Sequence, residues 1–174
     1  SKIIELSRMI DGKIKTLETY TLYHPIDPMS HYSSEYDTVV SGWLFSFDID
    51  LVHIRHLGWH SLSLPRIAKQ LGKKVIFSFH DFYALSPTIK LLDDNGEFLG
   101  TAFSPQASIY RESLWPENSH PTPASEWLKS WQAKFLHELK CCDSFVTTSE
   151  HARKLILETM PELTGDHFFV IPHG

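Results

Sequence analysis

The stretch Val75–Pro87, VIFSFHDFYALSP, decides the fold. Its opening residues are β-branched, aromatic or small, and they predict a strand buried on both faces. That strand runs without a break into His80 and Asp81. Burying an unpaired imidazole or carboxylate costs several kcal/mol, so the two polar residues mark the point where the strand leaves the core. Strands of this kind belong to open parallel sheets, in which ligands sit outside the carboxyl ends because loops diverge there and helix N-termini bring partial positive charge.

Outward from this strand, the hydrophobic period alternates between helix and strand from Ser33 onward. Tyr36, Val40, Trp43, Leu44 and Phe47 fall at helical spacing behind the caps Ser33 and Ser34, and Asp48-Ile49-Asp50 ends that helix. Leu51–Leu57 reads as a strand. Pro65 suits the first turn of the next helix, whose inner face is Leu64, Ile67, Ala68 and Leu71, and Gly72 stops it. In the second half Ser125 is read as the cap of a helix with the stripe Leu128, Trp131, Phe135 and Leu139. Residues 143–149 form the following strand, Ser149 caps helix 150–160, Pro161 ends it, and the run FFVIP leads to His173-Gly174. Before Ser33, residues 13–23 read as strand and residues 2–10 as helix or strand. Residues 82–124 interrupt the alternation with an Asn95-Gly96 turn signal and a Pro- and Ser-rich run containing Trp115, which suits a functional lid or binding loop.

Composition bounds the function. The 174 residues, 42% of them hydrophobic, fit one α/β domain with its own core. Sixteen Lys and Arg against 21 acids give a net charge of −5, which argues against a nucleic-acid partner. Cys141 and Cys142 are adjacent and form no disulfide framework, so the composition suits a reducing, cytoplasmic setting. No apolar run approaches the ~20 residues that span a bilayer, and residues 1–30 lack the pattern of a signal peptide. There is no internal repeat, P-loop, G-x-G-x-x-G or G-x-S-x-G.

The predicted sheet brings four polar strand ends to one edge: His53-Ile54-Arg55-His56, His80-Asp81, Thr147-Thr148-Ser149 and His173. On a helix, His53, His56 and His60 would share a face and make a credible metal set. The local sequence DLVHIRHL reads instead as a strand, which points His53 and His56 to opposite sides. The reading is therefore cleft-lining, with no metal site and no cofactor. A metal-dependent hydrolase using His53, His56, His80 and Asp81 is the alternative from a different class. A silent glycan-binding module, stacking sugars on Trp115 or Tyr83, is a third. Glu150 and Glu158 have E-x₇-E spacing, but among 11 Glu one such pair is expected by chance, and both read as solvated or capping acids.

The ordered runs LVHIRHLGWHSLSLPRIAKQLGKKVIFSFHDFYALSPTIKLLDDNGEFLG and CCDSFVTTSEHARKLILETMPELTGDHFFVIPHG resemble the N-terminal half of a family 4 glycosyltransferase of the GT-B fold, over roughly residues 34–174. The resemblance implies a Rossmann-like open parallel sheet flanked by helices. It also implies a retaining enzyme whose first domain receives a carbohydrate or lipid-linked acceptor while a second domain holds the nucleotide-sugar. By position, His80 matches the family's histidine at the cleft floor and is the expected catalytic residue. Asp81 follows it, and Tyr83 belongs to the same FHDFY run. His56 and Gly58 match the acceptor-side loop, Ser149 and Arg153 the helix start that faces the cleft, and His173-Gly174 the interdomain turn.

The family opens with a strand and a glycine-rich loop, whereas the only glycines in the first 57 residues here are Gly12 and Gly42. Two domains of the usual ~150–200 residues do not fit this length. The expectation is a single N-terminal domain at residues 1–174 with its insertion at 82–124, inactive without a donor-binding domain, in a cytoplasmic protein for which peripheral membrane association is allowed.

Overall fold

This computed structural model describes residues 2–24, 26, 31–87, 89–92, 96–98, 100 and 124–172. The chain begins with an antiparallel hairpin, β1 (Lys2–Ile10) and β2 (Lys13–Leu22), in which Ile10 faces Lys13 across the turn. The turn residues Asp11 and Gly12 both have positive φ, 49° and 74°, as a two-residue turn matched to strand twist requires. Residues 2–10 are thus strand, which resolves the two readings left open by the sequence.

Helix α1 (Ser34–Ser46) starts at the cap Ser33, whose hydroxyl accepts from the Tyr36 N–H at 3.2 Å. Its Tyr36 joins Ile4, Leu22 and Ile26 in a small core under the hairpin, and Val40 packs against both this cluster and the main one.

The main sheet has four parallel strands in the order β3 (Leu51–Ile54), β4 (Lys74–Phe79), β5 (Ser144–Thr147) and β6 (Phe168–Val170). Helices α2 (Leu64–Gln70), α3 (Ala124–Leu139) and α4 (Glu150–Thr159) connect them in turn, giving the Rossmann-like arrangement expected. The strand β3 stops at Ile54, three residues short of the predicted end, because the chain turns away after the register with Phe77. Gly72, at φ 74°, follows the last turn of α2, where its N–H bonds the Lys69 carbonyl at 3.0 Å.

The helix stripe predicted for α3 is the heart of the core: Leu128, Trp131, Phe135 and Leu139 are all buried. Trp131, Phe135 and Leu139 share one cluster with Val75, Phe77 and Phe79 of β4, Phe145 of β5 and Phe168 of β6. On the opposite parity of the sheet Leu51, His53 and Phe169 are exposed, whereas Ser78 is buried. Helix α3 begins at Ala124, so Ser125 lies in its first turn and is not the flanking cap. Ser149 does cap α4, accepting from the Ala152 N–H at 3.1 Å.

Leu92 and Phe98 form an isolated antiparallel bridge, while Asn95 of the predicted Asn95-Gly96 turn, Trp115, His173 and Gly174 lie outside the described residues. No helix among the described residues is long and apolar enough to cross a membrane.

Phe135 touches the rings of Trp131 and Tyr83 and is 1% exposed. Phe135→Ala should cost about 3–5 kcal/mol, read as a fall in the urea midpoint, since both ring contacts and the transfer energy are lost together.

Candidate functional site

The carboxyl ends of β3 and β4 are joined by two side-chain pairs. Successive residues of a strand point to opposite faces, so His80 and Asp81 leave β4 in opposite directions, and each meets one of the neighbours Arg55 and His56 that follow β3. The Arg55 Nε–H donates to His80 Nε2 at 3.1 Å. His56 Nε2 meets Asp81 Oδ2 at 3.2 Å. The buried strand ends in an imidazole and a carboxylate because each has a partner waiting on the adjacent strand end.

On the first side lies a cleft of about 360 Å³. Its polar lining is His53, Arg55, Ser78, His80, Thr147 and Thr148, contributed by the ends of β3, β4 and β5. His53 Nε2 bonds the buried Ser78 hydroxyl at 2.7 Å, which fixes that ring against the sheet. An arginine can only donate, so His80 Nε2 is an acceptor in this geometry and the ring proton sits on Nδ1. His80 is exposed, and a sugar hydroxyl or a developing charge can reach it.

The second side is a positioning network. Asp81 Oδ1 accepts the Tyr83 N–H at 2.9 Å, and the Gly58 N–H donates to His56 Nδ1 at 2.8 Å. Hydrogen bonding to Asp81 raises His56 above its ordinary value of 6.5, against partial burial. Burial pushes Asp81 up, but the bonds from His56 and the Tyr83 N–H outweigh it and leave the carboxyl below its ordinary 3.8.

Tyr83 stacks on His56 with ring centroids 5.0 Å apart and meets Trp131 edge-on at 5.2 Å. At 5% exposure it supports the network and presents no free face to a sugar, which corrects its reading as a stacking platform. The loop after it is held down by α3, through Trp131 Nε1 to the Tyr83 carbonyl and Gln132 Nε2 to the Leu85 carbonyl, both at 2.9 Å.

The remaining sequence candidates separate. Ser149 and Arg153 are not among the cleft-lining residues: the Ser149 hydroxyl caps α4, and Arg153 reaches Glu150 and the Gly165 carbonyl, both at 3.3 Å. Glu150 and Glu158 are solvated on α4, paired with Arg153 and Lys154. The metal set is not assembled. His53 turns to Ser78, His80 to Arg55 and His56 to Asp81, and among the described residues no group of three or more His, Cys, Asp or Glu could hold an ion.

Residues 10–174 match the family model for Glycosyltransferase Family 4. The chain belongs to Glycosyltransferase Family 4. No curated protein and no solved structure gives a match. Membership agrees with the geometry, since the polar cleft of this family 4 chain opens at the strand ends, where an open parallel sheet takes its ligand. A glycosyltransferase domain of this family works with a sugar donor and an acceptor.

Sequence reasoning missed that Arg55 is the partner of His80. The signal was present: two adjacent parallel strands each ending in two polar residues predict two cross-strand pairs once the register is known.

Gly58 gives a direct test of the network. A Cβ there would lie 2.4 Å from His56 Cε1, so Gly58→Ala must push the ring off Asp81. Its NMR titration midpoint should fall toward 6.5. A raised histidine contributes stability that is complete below its unfolded value and lost as pH rises through its folded value. The wild type should therefore lose stability across that window above 6.5, and Gly58→Ala should lose less.

Proposed function

We propose that this domain is the acceptor-side half of a retaining glycosyltransferase, which moves a sugar from a nucleotide-sugar to a glycan or lipid-linked acceptor. The observation that supports it is the cleft at the carboxyl ends of β3, β4 and β5, with His80 exposed on its wall and oriented by Arg55, in a chain of this family. In this reading the acceptor lies over the strand ends, and a donor-binding domain closes on it from the far side of the cleft.

His80 then contributes by hydrogen bonding and dipole. With Nε2 accepting from Arg55, the ring orientation is set before the sugar arrives and needs no reorganisation as charge develops. It is neither nucleophile nor proton acceptor at Nε2 while that bond stands. His56, Asp81 and Gly58 are positioning residues, holding the turn from which His80 projects. Donor phosphate stabilisation would come from the second domain, so the chain by itself should show no sugar transfer.

The experiment is His80→Ala in the protein that joins this domain to its donor-binding domain. Turnover should fall roughly 10²–10³-fold, the scale for loss of one preorganised polar group. Because the ring is exposed, the melting temperature should stay near that of the wild type. Unaltered turnover per folded molecule removes His80 from the mechanism. Sugar transfer by the isolated chain contradicts the division of labour.

A further inference from the structure

We propose that Arg55 is an anion-binding residue, and that the acceptor received in this cleft carries a phosphate-type oxyanion beside the hydroxyl that is glycosylated. The inference rests on the acceptor-side reading above and adds to it the chemical class of the substrate.

The first observation is the state of the guanidinium. Five other cations are paired with carboxylates: Arg66 with Glu138, Lys69 and Lys74 with Asp143, Arg153 with Glu150, and Lys154 with Glu158. Arg55 is exposed in the cleft wall, and among the described residues no carboxylate meets it. Its partner among the described residues is His80 Nε2, an uncharged acceptor that leaves the positive charge unneutralised.

That bond uses the Nε–H and fixes the plane of the fork. The two terminal nitrogens, with four N–H groups between them, are left for a ligand. Such a fork matches two oxygens of a phosphate or carboxylate, and its donors are matched best by a group that only accepts. A neutral sugar hydroxyl both donates and accepts, and would leave most of the fork unused.

The second observation is what surrounds the fork. The other polar lining residues are His53, Ser78, His80, Thr147 and Thr148, and among the described residues no lining residue is acidic, in a chain whose net charge is −5. The Thr148 hydroxyl can donate to a further oxygen, and among the described lining residues nothing repels an anion.

An oxyanion in this cleft has two sources, the acceptor or the diphosphate of the donor. The fork is set on the β3 end of the sheet and is part of the surface the acceptor occupies in the reading above, so the assignment is to the acceptor.

The test follows the His53 and His80 ring signals by NMR while the chain is titrated with glucose 1-phosphate, with glucose, and with uridine diphosphate. Glucose 1-phosphate should saturate these signals at a concentration at least ~10-fold below that needed for glucose, the difference one bidentate charge-assisted contact confers. Arg55→Gln should abolish the preference, and Arg55→Lys should retain part of it because the charge persists without the fork. Thermal melts of both variants confirm folding. Equal response to the phosphorylated and neutral sugars, or a preference that survives Arg55→Gln, overturns the proposal. Tighter saturation by uridine diphosphate than by glucose 1-phosphate, lost in Arg55→Gln, assigns the oxyanion to the donor and overturns the acceptor assignment. The transfer reading fails separately: it falls with an active His80→Ala enzyme, whatever anion the cleft prefers.

Discussion

Everything else in the domain depends on β4 being bonded on both sides and buried along its inner face. Flanked by β3 and β5, with Val75, Phe77 and Phe79 packed into one hydrophobic cluster, it has no room for a polar side chain on its inner face until it reaches Asp81. The polar residues therefore collect at the carboxyl end, and there the alternation of the strand sends His80 and Asp81 apart. Arg55 and His56, which follow the neighbouring strand in the same alternation, meet them. A rule of backbone geometry thus divides one dipeptide into a residue that faces the cleft and a residue that holds the turn in place.

The second support comes from α3. Its buried stripe fills the core, and two of its side chains, Trp131 and Gln132, reach out to the carbonyls of Tyr83 and Leu85. The helix consequently fixes the loop that carries the site as well as covering the sheet. Asp143, at the start of β5, ties the amino ends of the strands together in the same way: its carboxylate accepts the Val75 N–H at 2.8 Å while its own N–H bonds the Val75 carbonyl at 2.8 Å. Rigidity at both ends of β4 is what lets a pair such as Arg55 and His80 persist on an exposed edge, where an isolated contact between mobile side chains would contribute little.

Much of this was legible in the sequence, for identifiable reasons. The stripe of α3, the caps Ser33 and Ser149, and the stop at Gly72 are local signals, in which a few neighbouring residues determine the conformation. The hairpin was only half read, although Asp11-Gly12 is a strong turn dipeptide, because residues 2–10 mix periods and their apolar side chains are largely exposed. The extent of β3 and the start of α3 differed by a few residues, as ends set by tertiary register do. Within the site, sequence pointed to His80, His56, Gly58 and Asp81 but not to their pairing, which needs the register of two strands 20 or more residues apart. The burial of Tyr83 was not legible, because an aromatic residue in a loop motif gives no sign of it.

The central claim is that the strand ends joined by these pairs form the place where the sugar is transferred. The most direct measurement is a crystal structure of the complete protein with donor and acceptor analogues bound. The account predicts the His80 ring within hydrogen-bond reach, about 3 Å, of the transferred sugar, with the acceptor over the cleft walled by Arg55 and Thr148. A sugar bound at the amino ends of the strands, or against the hairpin, would contradict it.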